Sequence, residues 1–184
     1  MNLADYKKIH FIGIGGIGVS ALARLMLALG KEVSGSDLFD SKIIKDLESQ
    51  GAIIKIGRHK PGNLPSKTGL VVFTMALKKS NPEFIKAKKL KIPTLSYPEF
   101  LGKFISSYIP LVVTGSHGKS TTTAMLAKIF SEAGLDPSVV LGTNIREFGG
   151  NARLGLGRYF ILEGDEYQDC LLYTSDAADE LDGV

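Results

Sequence analysis

Twice along this 184-residue chain an apolar run breaks into a glycine loop and then into a helix-like stretch. The first instance is Ile9-His10-Phe11-Ile12 followed by Gly13-Ile14-Gly15-Gly16-Ile17-Gly18. The second is Leu111-Val112-Val113-Thr114 followed by Gly115-Ser116-His117-Gly118-Lys119-Ser120. A short apolar run closed by glycine reads as a buried strand, and apolar residues recurring three and four apart after it read as a helix. A strand that feeds a helix must cross over before it meets the next strand, so the pattern calls for an α/β fold with a parallel sheet.

The segments in between repeat the alternation. A helix over 18–29 is stopped by Gly30, and Glu32 to Gly35 is a strand. Ile43, Ile44 and Leu47 mark one face of a helix that ends near Gly51. Strands follow at 52–56 and 70–74, then a helix opened by Pro82 and running to Leu90, a strand at 92–95 and a helix over 98–107. Ser106-Ser107-Tyr108-Ile109-Pro110 breaks the periodicity, which places a domain boundary near residue 107. A helix over 119–133 and short strands at 139–140 and 159–162 come next. This second unit, 108–169, is shorter than the roughly 100–150 residues of a usual domain and reads as incomplete.

Composition removes several classes of function. A hydrophobic fraction of 44% with 22% charged residues can support a packed core. The net charge is +3 and the lysines are scattered or paired, with no basic stripe, so no nucleic-acid partner is expected. There is neither an apolar leader nor a run of about 18 apolar residues, so no membrane association is expected. The one cysteine, Cys170, cannot form an internal disulfide, which points to a reducing, cytoplasmic setting.

The first loop fits GxGxxG. Its backbone N–H groups and the helix that follows can face a diphosphate, and glycine lets the phosphate approach closely. Asp37, at the end of the second strand, stands where a dinucleotide site places its ribose-binding acid. Three readings stay open for this loop: a nicotinamide dinucleotide site, a site for another diphosphate-and-ribose ligand such as a UDP-sugar, and glycines that serve strand–helix packing alone.

The second loop follows phosphate-loop logic. Backbone amides would surround a β-phosphate, Lys119 would reach the β and γ oxygens, and the Ser120 hydroxyl could ligate Mg²⁺. The strict GxxxxGK[ST] spacing fails by one residue, because Val113 stands at the first glycine. Downstream, Ile161-Leu162-Glu163 delivers an acid to the same carboxyl edge of the sheet, placing Glu163 to hold the metal.

Taken together, these motifs resemble the Mur ligases, and within them the ligases that join L-alanine to UDP-N-acetylmuramate. The residues that carry the likeness are His10 to Gly18 with Ser20-Ala21-Leu22-Ala23, Val33 to Asp37, Asn81-Pro82-Glu83, Thr114 to Thr122 and Asn151-Ala152-Arg153-Leu154-Gly155. The resemblance implies a Rossmann-like N-terminal domain for the UDP-sugar (1–107) and a truncated P-loop ATPase-type α/β central domain (108–169). It also implies ATP and Mg²⁺ as cofactors, with UDP-N-acetylmuramate and L-alanine as partners. In that family ATP activates the lactyl carboxylate as an acyl phosphate, which the incoming amine attacks.

By the same resemblance Gly15, Gly16, Ile17 and Gly18 would lie against the diphosphate, with Ser36 and Asp37 near the ribose or uracil. Gly115, Ser116, His117, Gly118, Lys119, Ser120 and Thr121 would hold ATP, and Ser120 with Glu163 would ligate Mg²⁺. Lys119 and His117 are the catalytic candidates, His117 near the transferred phosphate or the carboxylate, or else stabilising its loop. His10 reads as a strand residue, and His59 as either a loop residue or a sugar-nucleotide contact.

The chain departs from the alanine-adding pattern in three places. Ser116 and Ser120 replace threonines and keep the hydroxyls. Glu163-Gly164-Asp165-Glu166-Tyr167 looks instead like the murein peptide ligases, which attach a tripeptide to the same sugar. From Cys170 onward the string matches nothing in the family and reads as a non-native tail (170–184). The expectation is therefore an amide-forming ligase whose 184-residue piece has no turnover of its own. An NAD-dependent oxidoreductase and a non-catalytic nucleotide-binding module are the rivals.

Overall fold

Alternation along Lys8–Ile12, strand β1, decides which helix covers which side of the first sheet. Ile9 and Phe11 join a large apolar cluster on one face, while Ile12 packs with Leu64, Val71 and Ala87 on the other. The computed structural model describes residues 5–145 and 149–164. After β1 come α1 (Ile17–Ala28), β2 (Glu32–Asp37), α2 (Lys42–Ser49), β3 (Ile53–Ile56), β4 (Leu70–Phe73), α3 (Pro82–Lys89), β5 (Thr94–Ser96) and α4 (Tyr97–Ile105). The five strands form one parallel sheet in the order β3-β2-β1-β4-β5. The order reverses at β1, so a crevice opens past its carboxyl end, at the first glycine loop.

Helix starts follow local chemistry. Ser41 caps α2 by accepting from the Ile44 N–H, and Asn81 caps α3 by accepting from the Glu83 and Phe84 N–H groups, with Pro82 in the first turn. Ser96 and Glu99 form a capping box on α4.

The second sheet contains β6 (Ile109–Val113), β7 (Ser138–Ile145), β8 (Gly150–Arg153) and β9 (Tyr159–Glu163), in the order β6-β9-β7-β8. Helix α5 (Lys119–Glu132) leaves the second glycine loop. The sheet departs from the all-parallel expectation, because β8 runs antiparallel to β7. That strand was invisible to patterning: Gly150-Asn151-Ala152-Arg153 has no apolar alternation, and its burial comes from packing on α1. The two sheets share one apolar cluster, in which Phe104 of α4 meets Phe160 of β9 edge-on at 5.8 Å. Among the described residues no helix is long and apolar enough to cross a membrane.

Candidate functional site: two nucleotide-type loops

A cleft of about 740 Å³ lies at the carboxyl edge of the first sheet, a volume suited to a ligand of sugar-nucleotide size. Gly13, Gly15 and Gly16 line it from the first loop, Asp37 to Phe39 from the end of β2, Arg58 and His59 from beyond β3, and Thr74 with Asn81 from beyond β4. The loop's own amides are largely engaged. Gly13 and Ile14 donate to the Ser36 carbonyl, Gly16 to the Gly13 carbonyl, and Gly15 to Asp37 Oδ2 at 2.8 Å. Asp37 Oδ1 also accepts from Leu38 N–H.

The donors left for an anion are therefore the first-turn N–H groups of α1, at Ile17, Gly18 and Val19, which no helix satisfies internally. Gly15 is glycine for a steric reason: a Cβ there would stand 2.9 Å from Asp37 Oδ2. A Cβ on Gly18 would meet the Tyr97 ring at 2.7 Å, so this glycine lets α1 approach α4.

The side chain of Ser36, expected near the ribose or uracil, is buried and donates to Glu83 Oε2 at 2.7 Å, beneath the cleft that Asp37 lines. The reason lies in strand geometry: successive side chains alternate, and Asp37 takes the cleft-facing position at the end of β2. Glu83 is a hub. Its buried carboxylate also accepts from His10 Nε2 at 2.8 Å, His59 Nδ1 at 2.8 Å and Asn63 Nδ2 at 2.9 Å. Burial pushes the Glu83 carboxyl up, but the hydrogen bonds from His10, Ser36, His59 and Asn63 outweigh it and hold it down at about 2. Sequence reasoning singled out Asn81-Pro82-Glu83 as part of the family likeness but did not bring Glu83 together with His10 and His59; its local signal was an acid two residues after a helix-capping Asn, in the first turn of a half-buried helix.

The second loop gathers its residues around a hollow of about 260 Å³ lined by Ser116 to Thr121 and Glu163. Gly118 caps α5 in the left-handed region at φ 75°, which only glycine adopts freely. Lys119 Nζ donates to the Gly115 carbonyl at 2.7 Å. Strand β6 pairs with β9 so that Val113 lies beside Glu163, and Ser120 Oγ donates to Glu163 Oε1 at 2.9 Å. Glu163 Oε2 accepts from Gly142 N–H at 2.8 Å. A hydroxyl and a carboxylate side by side over a phosphate-type loop are hard oxygen donors, the set Mg²⁺ takes when phosphates and water supply its other ligands. Among the described residues no cluster of three or more His, Cys, Asp or Glu side chains could hold a metal alone.

A smaller hollow of about 220 Å³ lies between the two sites. Gly16, Ile17 and Gly18 line it from the first unit, and Val140, Leu141 and Gly142 from β7. Gly16 borders the large cleft as well, and Gly142 touches Glu163, so the three hollows form one line from the first glycine loop to the second. Asp165 and Glu166, and the tail from residue 170, lie outside the described residues.

The chain is similar to known proteins. The family model described as "Mur ligase family, catalytic domain" matches residues 8–109. A UDP-N-acetylmuramate–L-alanine ligase of Clostridium kluyveri is 46% identical over 167 residues, which are 90% of this chain and 36% of that protein. The solved UDP-N-acetylmuramate-alanine ligase of Thermotoga maritima superposes with a TM-score of 0.78 at 32% identity, over 85% of this chain and 36% of that one. The UDP-N-acetylmuramate:L-alanyl-γ-D-glutamyl-meso-diaminopimelate ligase of Neisseria meningitides gives 0.79 at 31% identity, over 88% and 53%. The chain thus spans little more than a third of the length of the curated relative.

Proposed function

Because the chain belongs to the Mur ligase family, we propose that it carries the sugar-nucleotide site and part of the ATP site of an amide-forming ligase that joins L-alanine to UDP-N-acetylmuramate. The observation that carries this reading is the line of hollows from the Gly13–Gly18 loop to Ser120 and Glu163. A sugar nucleotide whose diphosphate rests on the α1 N-terminus can extend its sugar carboxylate past Gly142 toward the phosphate loop.

In this reading ATP with Mg²⁺ supplies the phosphoryl group that activates the carboxylate as an acyl phosphate. Lys119 exchanges its Gly115 carbonyl for phosphate oxygens. Ser120 and Glu163 would hold the metal, with Gly142 N–H fixing the carboxylate's second oxygen. Ser116, Gly118 and Thr121 frame the phosphates, and His117, which lines the same hollow, would stand by the transferred phosphate. Asp37, already anchored by Gly15, offers its carboxylate edge to a ribose hydroxyl. The proposed setting for this chemistry is the cytoplasm. The 184-residue chain by itself is proposed to bind nucleotides without turnover.

A second reading, addition of a peptide in place of L-alanine, is favoured by Gly164. This residue replaces the alanine usual in alanine-adding enzymes, and a Cβ there would stand 2.7 Å from Thr114 Cγ2. The solved peptide-adding ligase superposes as well as the alanine-adding one. The deciding experiment follows phosphate release by the full-length product of the encoding gene with ATP, Mg²⁺ and UDP-N-acetylmuramate. Release with L-alanine supports the first reading, and release only with the tripeptide supports the second. Release with neither, combined with tight NADH binding, would return the first loop to dinucleotide chemistry.

A further inference from the structure

The Glu83 hub fixes more than its own charge. A carboxylate only accepts hydrogen bonds, so the His59 nitrogen that meets Glu83 Oε1 at 2.8 Å, Nδ1, must carry the proton. The same Nδ1 lies 3.2 Å from Ser36 Oγ, whose own proton is committed to Glu83 Oε2, so the serine oxygen is a second acceptor and reinforces the same tautomer. His10 meets the hub through its other nitrogen: its Nε2 donates to Glu83, and its Nδ1 lies 2.9 Å from Ser34 Oγ. The hub therefore orients two histidines, of which His10 is sealed in the core and His59 lines the large cleft with its side chain 18% exposed. With Nδ1 held, Nε2 is the His59 nitrogen left to meet a ligand, and in the neutral ring it offers a lone pair.

The sheet order says which part of the ligand it meets. Moving outward from β1, the diphosphate belongs to the α1 N-terminus, the ribose to Asp37 at the end of β2, and the base to the segment beyond β3, where Arg58 and His59 stand. Phe39 lines the same end of the cleft and is 77% exposed, an apolar ring without cover where a base could stack.

We propose that Glu83 is a positioning residue that, through His59, gives the base end of the cleft a hydrogen-bond acceptor and thereby makes it choose uracil over cytosine. Uracil carries N3–H, a donor that the His59 Nε2 lone pair accepts. Cytosine presented in the same pose brings its own N3 lone pair against that of Nε2. A site built around one hydrogen bond rejects a ligand that leaves the buried partner unsatisfied far better than an apolar pocket rejects an isostere. This inference rests on the sugar-nucleotide reading of the cleft and adds the source of its base selectivity.

The test is calorimetric titration of the 184-residue chain with UDP and with CDP, which share diphosphate and ribose. The wild-type chain is expected to bind UDP about tenfold or more tightly than CDP, the scale of one mismatched buried hydrogen bond. In Glu83→Gln the amide no longer fixes the His59 tautomer, and the preference should shrink to about twofold through weaker UDP binding while CDP binding holds. Ring ¹⁵N spectra of the wild-type chain should show His59 protonated at Nδ1, with the Nε2 resonance moving on addition of UDP. Should Glu83→Gln fail to fold, His59→Phe leaves His10, Ser36 and Asn63 on Glu83 and must also lose the preference. Equal affinities for UDP and CDP in the wild-type chain, or an unchanged ratio in the variants, overturn the proposal and leave the sugar-nucleotide reading standing. Binding of NADH with neither UDP nor CDP sinks that reading, and the proposal with it.

Discussion

Asn151 in β8 donates through Nδ2 to the carbonyl oxygen of Ile17, the first residue of α1, at 2.5 Å. The contact crosses from the second sheet to the first, 134 residues apart in sequence, and lands directly behind the first glycine loop. Asn151 also donates to Ser20 Oγ at 3.2 Å and accepts from Arg24 Nε at 3.2 Å, all within a buried seam. One side chain thus ties the start of α1 to the hairpin that carries Gly142, and so sets the spacing between the two nucleotide-type loops.

Replacing Asn151 with Leu keeps the volume but leaves the Arg24 guanidinium facing an apolar group, while the Ile17 carbonyl keeps the Ser20 hydroxyl. The expected loss is about 2–4 kcal/mol, because a buried charge stripped of its acceptor costs more than the bond itself. Urea unfolding of the chain measures it. An unchanged midpoint would show that the seam is held by its apolar contacts alone.

The Glu83 hub predicts acid sensitivity of definite sign. Its folded carboxyl lies at about 2 against an ordinary 4.5, so the unfolded chain binds more protons between those values and stability rises with pH across them. The contribution, on the order of 3 kcal/mol, is complete above pH 4.5 and drains as the pH falls toward 2. Unfolding midpoints at a series of pH values for the wild-type chain and Glu83→Gln isolate it from other carboxylates. Parallel curves for the two proteins would contradict the assignment.

Lys119 and Glu163 should separate in nucleotide binding. Lys119→Ala removes a phosphate ligand and is expected to weaken ADP binding about ten- to a hundredfold with or without Mg²⁺. Glu163→Gln should weaken it by a similar factor only when Mg²⁺ is present. Titration of each variant in magnesium and in a chelator decides, and a magnesium-independent loss in Glu163→Gln would remove Glu163 from the metal site.

Gly157 and Gly155 close the turn that returns β8 to β9. A Cβ on either would stand far inside van der Waals contact with a backbone carbonyl oxygen, of Leu135 for Gly157 and of Asp136 for Gly155. Backbone there cannot swing aside as a side chain can, so Gly157→Ala is expected to cost about 3 kcal/mol or more and to lower the thermal midpoint by more than 5 °C. A variant as stable as wild type would mean that the turn rearranges freely.

The sequence by itself determined the fold class, because strand–glycine–helix junctions leave a parallel sheet as the one way to pair consecutive strands. It also placed Ser116 to Thr121 and Glu163 at one edge: residues at the carboxyl ends of neighbouring parallel strands share that edge whatever the rest of the chain does. Contacts between residues far apart in sequence were decided by tertiary structure alone. Ser36 and Asp37 are adjacent, yet the pleat sends one into the Glu83 hub and the other to the cleft, and which faces inward depends on what α3 brings beneath the sheet. Glu83 itself reads as an ordinary first-turn acid until His10, Ser36, His59 and Asn63 converge on it from three other segments. β8 has no strand pattern, since Asn151 is buried by α1 and not by its own neighbours. Periodicity records what each element does to its own faces; it carries no trace of a polar side chain whose partners arrive only when the sheets pack.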